Sequence, residues 1–205
     1  MNARNLFATA LAIAFAAGTA SAQSPGAPAP DFSLTDTSGK TVHLSDLRGK
    51  FVVLEWTNPD CPFVQKHYNS QNMPDLQKEW GAKDVVWLSI NSTNRDSFEF
   101  KTPAQMNAWM QSKGAAQKAV LIDDSSATGR AYAARTTPHM FVIDPAGTIV
   151  YAGAIDDKRS TRPEDVKIAH NYVRAALTEA QAGKPVTVPS TTPYGCSVKY
   201  SDSSH

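Results

Sequence analysis

The chain has 205 residues, of which 41% are hydrophobic and 19% charged, enough apolar material for one domain with one sizeable core. Its 20 Lys and Arg against 19 Asp and Glu leave a formal net charge of +1. That balance argues against nucleic acid or an anionic membrane surface as partner, since such proteins gather Lys and Arg on one face.

Arg4 gives the N-terminus a positive start, residues 6–17 are almost wholly apolar, and Ala20-Ser21-Ala22 reads as a small-residue cleavage site. This is the layout of a secretory signal peptide, with a run too short to span a membrane comfortably. The expectation is cleavage after Ala22, a balanced mature chain, and a periplasmic or secreted protein free of the membrane. Disulfides persist in such compartments. The chain has two cysteines, Cys61 and Cys196, which makes them a candidate pair.

Residues 23–30 (QSPGAPAP) predict a flexible or extended lead-in. Residues 31–34 and 41–44 are short β-prone runs around Ser38-Gly39-Lys40, a hairpin pattern, and residues 45–49 allow one helical turn. Residues 51–57 (FVVLEWT) are nearly continuous in apolar and β-prone side chains, as in a strand buried on both faces. Asn58-Pro59-Asp60 breaks that run. A helix can begin at Cys61 with Pro62 in its first turn and extend towards Trp80, with Pro74 a point for a kink. Residues 84–91 (DVVWLSIN) give a second buried strand, and residues 103–113 a helix stopped by Gly114. Residues 120–123, 140–144 and 148–152 predict three more strands, the last two joined by the turn Pro145-Ala146-Gly147. Residues 126–134 predict a short helix. Residues 162–182 carry Val166, Ala169, Val173, Ala176 and Leu177 at helical spacing. A Pro- and Thr-rich tail with Cys196 follows. Alternation of this kind predicts an α/β fold with a central mixed sheet flanked by helices.

Cys61 falls where a buried strand hands over to a helix, and reactive groups in α/β sheets sit at that carboxyl end. Unpaired N–H groups at a helix start favour a thiolate, the nucleophile towards disulfides and peroxides. Asp60 opposes this with a neighbouring negative charge, unless its carboxylate caps the helix. Six residues on a helix turn His67 about 240° away from Cys61. His139 is therefore the better second ligand if the site handles copper. His43, His170 and His205 form no chelating spacing. Trp56, Trp80, Trp87 and Trp109 read as packing residues, and Asp156-Asp157-Lys158-Arg159 as a solvated loop that could border the site.

The strand–Cys–helix unit, Thr137-Pro138 before residues 140–144, and the turn through residues 144–147 resemble thioredoxin-fold proteins. More narrowly, NPDCPFVQKHY (58–68), RAYAARTTPHMFVIDPAGTIV (130–150), YAGAIDDK (151–158) and PYGCSVKY (193–200) resemble bacterial peroxiredoxin-like proteins of the AhpC/TSA-related redoxin group. The resemblance implies a thioredoxin-like domain over residues 31–183, followed by a tail over 184–205. It also implies a cis bond at Thr137-Pro138, with both residues positioning substrate against Cys61. Cys196 is implied as the resolving cysteine. Glu55, six residues before Cys61, is implied as a buried candidate proton acceptor, against the plainer reading of an acid pointing out at the strand end.

Two departures bear on the chemistry. Val64 stands where thioredoxins have their second cysteine, so no local dithiol forms. Asn58 and Leu54 stand where peroxiredoxins place Thr or Ser and Pro, and Arg135 is out of register with their active-site arginine. The expectation is a thiol-dependent oxidoreductase that reduces a peroxide or exchanges disulfides and is recharged by an external thiol donor. It calls for no cofactor and no resident metal. The alternatives are a binding or chaperone module stapled by Cys61–Cys196, and a copper-handling protein using Cys61 and His139. Such a staple would close a loop long enough to stabilise the fold by ~4–5 kcal/mol in the chain-entropy picture.

Overall fold

The computed structural model describes residues 24–200, so the leader expected over residues 1–22 lies outside the described residues. Seven strands form one mixed sheet. In chain order they are β1 (Ser33–Asp36), β2 (Thr41–His43), β3 (Val52–Trp56), β4 (Val86–Asn91), β5 (Ala119–Ile122), β7 (His139–Ile143) and β8 (Ile149–Gly153). They are laid out β2-β1-β5-β4-β3-β7-β8. β3 is the hub, parallel to β4 and antiparallel to β7. Two further short strands, β6 (Thr136–Thr137) and β9 (Cys196–Ser197), pair with each other outside that sheet.

Period-two alternation divides the sheet into two apolar faces. Val53, Trp87, Met140 and Val142 meet helices α1 (Pro62–Asn69), α2 (Asn72–Gly81), α3 (Pro103–Ser112) and α5 (Tyr172–Gln181). Leu54, Trp56, Leu88, Ile90, Phe141 and Ile143 form the other core with Phe32, Leu44 and Tyr132. Tyr132 closes the short helix α4 (Ala127–Ala131) as its C-cap. A strand with a core on both sides explains the nearly unbroken apolar run of residues 51–57. Among the described residues, no helix is long and apolar enough to cross a membrane.

Three expected elements come out differently. The helix from Cys61 towards Trp80 is two helices, broken at Ser70-Gln71, where Gln71 takes a left-handed φ of 61°. Pro74 lies in the first turn of α2, where its missing N–H costs nothing, and produces no kink. The final helix begins only at Tyr172. The Tyr172 N–H bonds to Ile155 O, an isolated bridge joins Asp156 to Asn171, and Asn171 caps α5 through the Arg174 N–H. Ahead of that break, Pro163–Ile168 is a 3-10 segment. The lead-in is likewise no free chain. Gly26 N–H bonds to Ile149 O and Ala29 N–H to Gly147 O, and Ala27 and Ala29 are buried.

Candidate active site

Cys61 is the N-cap of α1, one short loop beyond the end of β3. Asn58 shapes that loop by accepting the Asp60 N–H on its side-chain oxygen at 2.8 Å, an Asx turn that breaks the strand. Its amide donates to Thr93 Oγ1 at 2.9 Å and to Glu99 at 3.3 Å, tying the loop to residues 93–99. Asp60 does not cap the helix. Its carboxylate pairs with Lys101 Nζ at 2.5 Å, so a lysine answers the negative charge next to Cys61. The Cys61 thiol is buried, 1% exposed, and donates to the Thr137 carbonyl at 2.9 Å. The Thr137-Pro138 bond is cis, as the resemblance implied. Thr137 Oγ1 is buried and without a hydrogen-bond partner.

The chain's own tail covers this corner. Cys196 stands opposite Thr137, and Ser197 opposite Thr136, in the antiparallel β6–β9 pair. Cys61 and Cys196 are free cysteines, and Cys196 packs against the apolar cluster that contains Cys61. Burial, with the neighbouring Cys61, pushes the Cys196 thiol up to about 12. At that value Cys196 keeps its proton at neutral pH. Gly195 makes the approach possible. A Cβ there would lie 2.0 Å from the Thr137 carbonyl oxygen, and its φ of +138° suits glycine. Beyond Cys196, Val198 N–H bonds to Arg135 O, Lys199 O accepts the Asn94 N–H, and Tyr200 OH bonds to Ala134 O.

Two residues before Cys196, Tyr194 enters a buried polar pocket between α1 and the segment after β8. Its hydroxyl donates to Asp156 Oδ1 and lies 3.2 Å from His67 Nε2 and 3.4 Å from Lys66 Nζ. Its ring meets Phe63 edge-on at 5.8 Å. Asp156 Oδ2 has no hydrogen-bond partner and sits 3.7 Å from Lys66 Nζ, with both side chains buried. Burial lowers the Lys66 ammonium's pKa against the pull of Asp156, while burial and the Lys66 charge lower His67 to about 3, leaving a neutral ring. Burial and the Asp156 charge keep the Tyr194 phenol protonated. Asp156 is therefore not part of a solvated loop, and His67, which points away from Cys61, serves the tail instead.

Glu55 points into the helix-covered face and is fully buried, so it does not point out at the strand end. Its carboxylate accepts from Trp87 Nε1 and Tyr68 OH at 2.9 Å, Ser89 Oγ at 3.1 Å and Gln77 Nε2 at 3.3 Å. Burial raises its pKa to about 7 against those donors. Trp87 is thus a hydrogen-bonding residue as well as a packing one.

His139 lies on the opposite face of β7 from the Cys61 layer, its ring tilted 39° to that of Phe141 at 4.6 Å and its Nδ1 facing the Arg135 N–H. Burial and Arg135 lower it to about 3. Strand alternation separates it from Cys61, so the two do not form a ligand pair. Among the described residues, no three His, Cys, Asp or Glu side chains gather at metal-binding range. Arg135 is exposed.

Sequence reasoning missed Tyr194, Lys66 and Gly195. Their signals were present: a Tyr-Gly pair directly before the tail cysteine, and His67 three residues after the core residue Val64 on one helix face.

The AhpC/TSA family profile matches residues 25–152. The thiol-disulfide oxidoreductase ResA of Bacillus subtilis is 30% identical over 127 residues, 62% of this chain and 65% of that protein, so the match spans just under two thirds of the relative. An uncharacterised conserved protein of Geobacillus kaustophilus superposes with a TM-score of 0.77 at 27% identity, covering 89% of this chain and 95% of that one. A hypothetical protein of Sinorhizobium meliloti 1021 gives 0.75 at 25% identity, covering 85% and 93%. With a strand–cysteine–helix site facing a cis-proline and a family match over more than half its length, the chain belongs to the AhpC/TSA family of the thioredoxin-fold redoxins.

Proposed function

We propose that this protein is an exported thiol-dependent oxidoreductase in which Cys61 is the nucleophile and Cys196 the resolving thiol. The observation that carries the reading is that the folded tail sets Cys196 opposite Thr137, whose carbonyl holds the Cys61 thiol, and packs it against the cluster containing Cys61. In disulfide exchange, the Cys61 thiolate attacks a substrate sulfur, forming a mixed disulfide and expelling one substrate thiolate. Cys196 then gives up its proton and attacks the Cys61 sulfur. That step closes Cys61–Cys196 and expels the second substrate thiolate, so two electrons pass from the pair to the substrate. With a peroxide, Cys61 would take one oxygen as a sulfenic acid and Cys196 would expel it as water. An external dithiol restores the pair in either case.

Disulfide exchange is favoured over peroxide reduction. Asn58, engaged with Thr93 and Glu99, stands where a peroxide site would place a hydroxyl, and Arg135 is exposed whereas Cys61 is buried. The ResA likeness points the same way. With the backbone edge of Thr137 taken by the tail, Pro138 and the free Thr137 hydroxyl would be the contacts offered to substrate beside the sulfur. Glu55 would exchange protons as the thiols change state, being set to about 7 on the same sheet face.

The test is turnover of a protein disulfide and of a hydroperoxide with dithiothreitol as donor, in the wild type, Cys61→Ser and Cys196→Ser. Disulfide turnover abolished by Cys61→Ser and stalled as a mixed disulfide by Cys196→Ser is expected. Undiminished turnover in Cys61→Ser would end the proposal.

A further inference from the structure

Tyr194, in the tail, reaches into a buried polar pocket two residues from Cys196. Three groups from two distant segments converge on its hydroxyl: Asp156, His67 and Lys66. Lys66 is also held by the Lys158 carbonyl at 2.7 Å, and the His67 ring by Asn72 at 2.8 Å, so the pocket is fixed independently of the tail. Phe63 limits the ring's tilt. Two residues later, Cys196 pairs with Thr137, with Gly195 passing over the Thr137 carbonyl between them. On the far side of Cys196 the tail is held by Val198, Lys199 and Tyr200. The anchored Tyr194 ring supplies the constraint on the near side, where fixing each residue costs roughly 1–2 kcal/mol.

We propose that Tyr194 is the positioning residue of the Cys196 thiol, its hydroxyl pinned by Asp156, His67 and Lys66 so that Cys196 meets Cys61 without a search by the tail. The proposal rests on the reading of Cys61 and Cys196 as one redox pair. Lys66, His67 and Asp156 thereby acquire a task at a distance from the sulfur: they fix the local concentration of the second thiol.

The experiment is stopped-flow reaction of the reduced full-length protein with limiting 5,5′-dithiobis(2-nitrobenzoate). The first aryl thiolate is released when a protein thiolate attacks the reagent and forms an aryl mixed disulfide. The second is released, independently of protein concentration, when the other cysteine deprotonates and attacks that mixed disulfide to form Cys61–Cys196. Tyr194→Phe keeps the ring against Phe63 and removes the pin, and should slow the second release about tenfold. Tyr194→Ala should slow it about 100-fold, as expected when an effective concentration is lost. The first release should not be slowed in either variant. General loss of stability would shift the thermal midpoint without singling out the second release, and Tyr194→Phe decides the matter if Tyr194→Ala folds poorly. A second release at the wild-type rate in Tyr194→Phe and in any folded Tyr194→Ala overturns the positioning role alone. Absence of a second release from the wild type overturns the redox pair, and the proposal with it.

Discussion

Thr137 meets both cysteines: its carbonyl accepts the Cys61 thiol at 2.9 Å, and the same residue is the register partner of Cys196 in the β6–β9 pair. One residue of the cis-proline step thus aligns a sulfur at the start of α1 with a sulfur from the end of the chain. The tail occupies the strand edge beside the site.

Re-reduction should begin at Cys196. Cys61 is 1% exposed, whereas Cys196 is only partly buried. A thiol pushed up to about 12 is also a poor leaving group, so attack that expels Cys196 is disfavoured. Oxidised protein opened with limiting glutathione and quenched rapidly with N-ethylmaleimide should carry the glutathione on Cys196. An adduct found mainly on Cys61 would show that the donor enters from the other side.

Gly195→Ala should detach the tail while sparing the body of the fold. The new methyl would need to sit 2.0 Å from a backbone oxygen that cannot rotate away, at a φ that disfavours alanine. Alkylation of Cys61 by iodoacetamide should rise by about tenfold or more as local opening becomes easier, with little change in far-UV circular dichroism. Unchanged alkylation would mean that the tail does not shield Cys61.

Glu55 predicts a pH signature. Its folded-state pKa of about 7 lies above the usual carboxylate range because of burial. The folded state therefore holds a proton that the unfolded chain releases near pH 4.5. The stability this group allows is present in full below pH 4.5 and is lost as pH rises through 7, a total of about 3 kcal/mol at 1.36 kcal/mol per unit. Glu55→Gln cannot ionise and should escape that loss. Urea unfolding at pH 4.5 and pH 8 should show the variant gaining on the wild type by about that amount at the higher pH. An equal difference at both values would refute the assignment.

Asp156→Ala should cost stability out of proportion to its size. It strands the buried Lys66 ammonium and removes the acceptor of the Tyr194 hydroxyl. Breaking a buried charge pair from one side costs roughly 3–5 kcal/mol. Denaturant unfolding should report a loss of that order, whereas a loss under about 1 kcal/mol, the level of an exposed pair, would mean that water compensates Lys66.

The parts of the fold written in local chemistry were legible. β3 and β4 announced themselves as apolar runs because both their faces are buried, and Asn58-Pro59-Asp60 marked the turn that delivers Cys61. The breaks at Gln71 and before Tyr172 were not legible, because apolar spacing continues across them. The chain is interrupted there by a left-handed turn residue in one case and by the bridge from Asp156 to Asn171 in the other. Cys61, Cys196, Thr137 and Pro138 could be named, yet the face of His139 depended on strand register. Burying Asp156 depended on Tyr194, whose contact with His67 spans 127 positions. No local pattern carries such a contact, and charged residues near a turn read as solvated.

The central claim is that Cys61 and Cys196 cycle as one pair, and their reduction potential tests it most directly. Full-length protein would be equilibrated across a redox-buffer series, its free thiols trapped, and the linkage read by mass spectrometry. The account predicts a Cys61–Cys196 disulfide with a potential well above the range below about −300 mV that is typical of structural disulfides. A bond that resists reduction down to that range, or two thiols that never link, would contradict it.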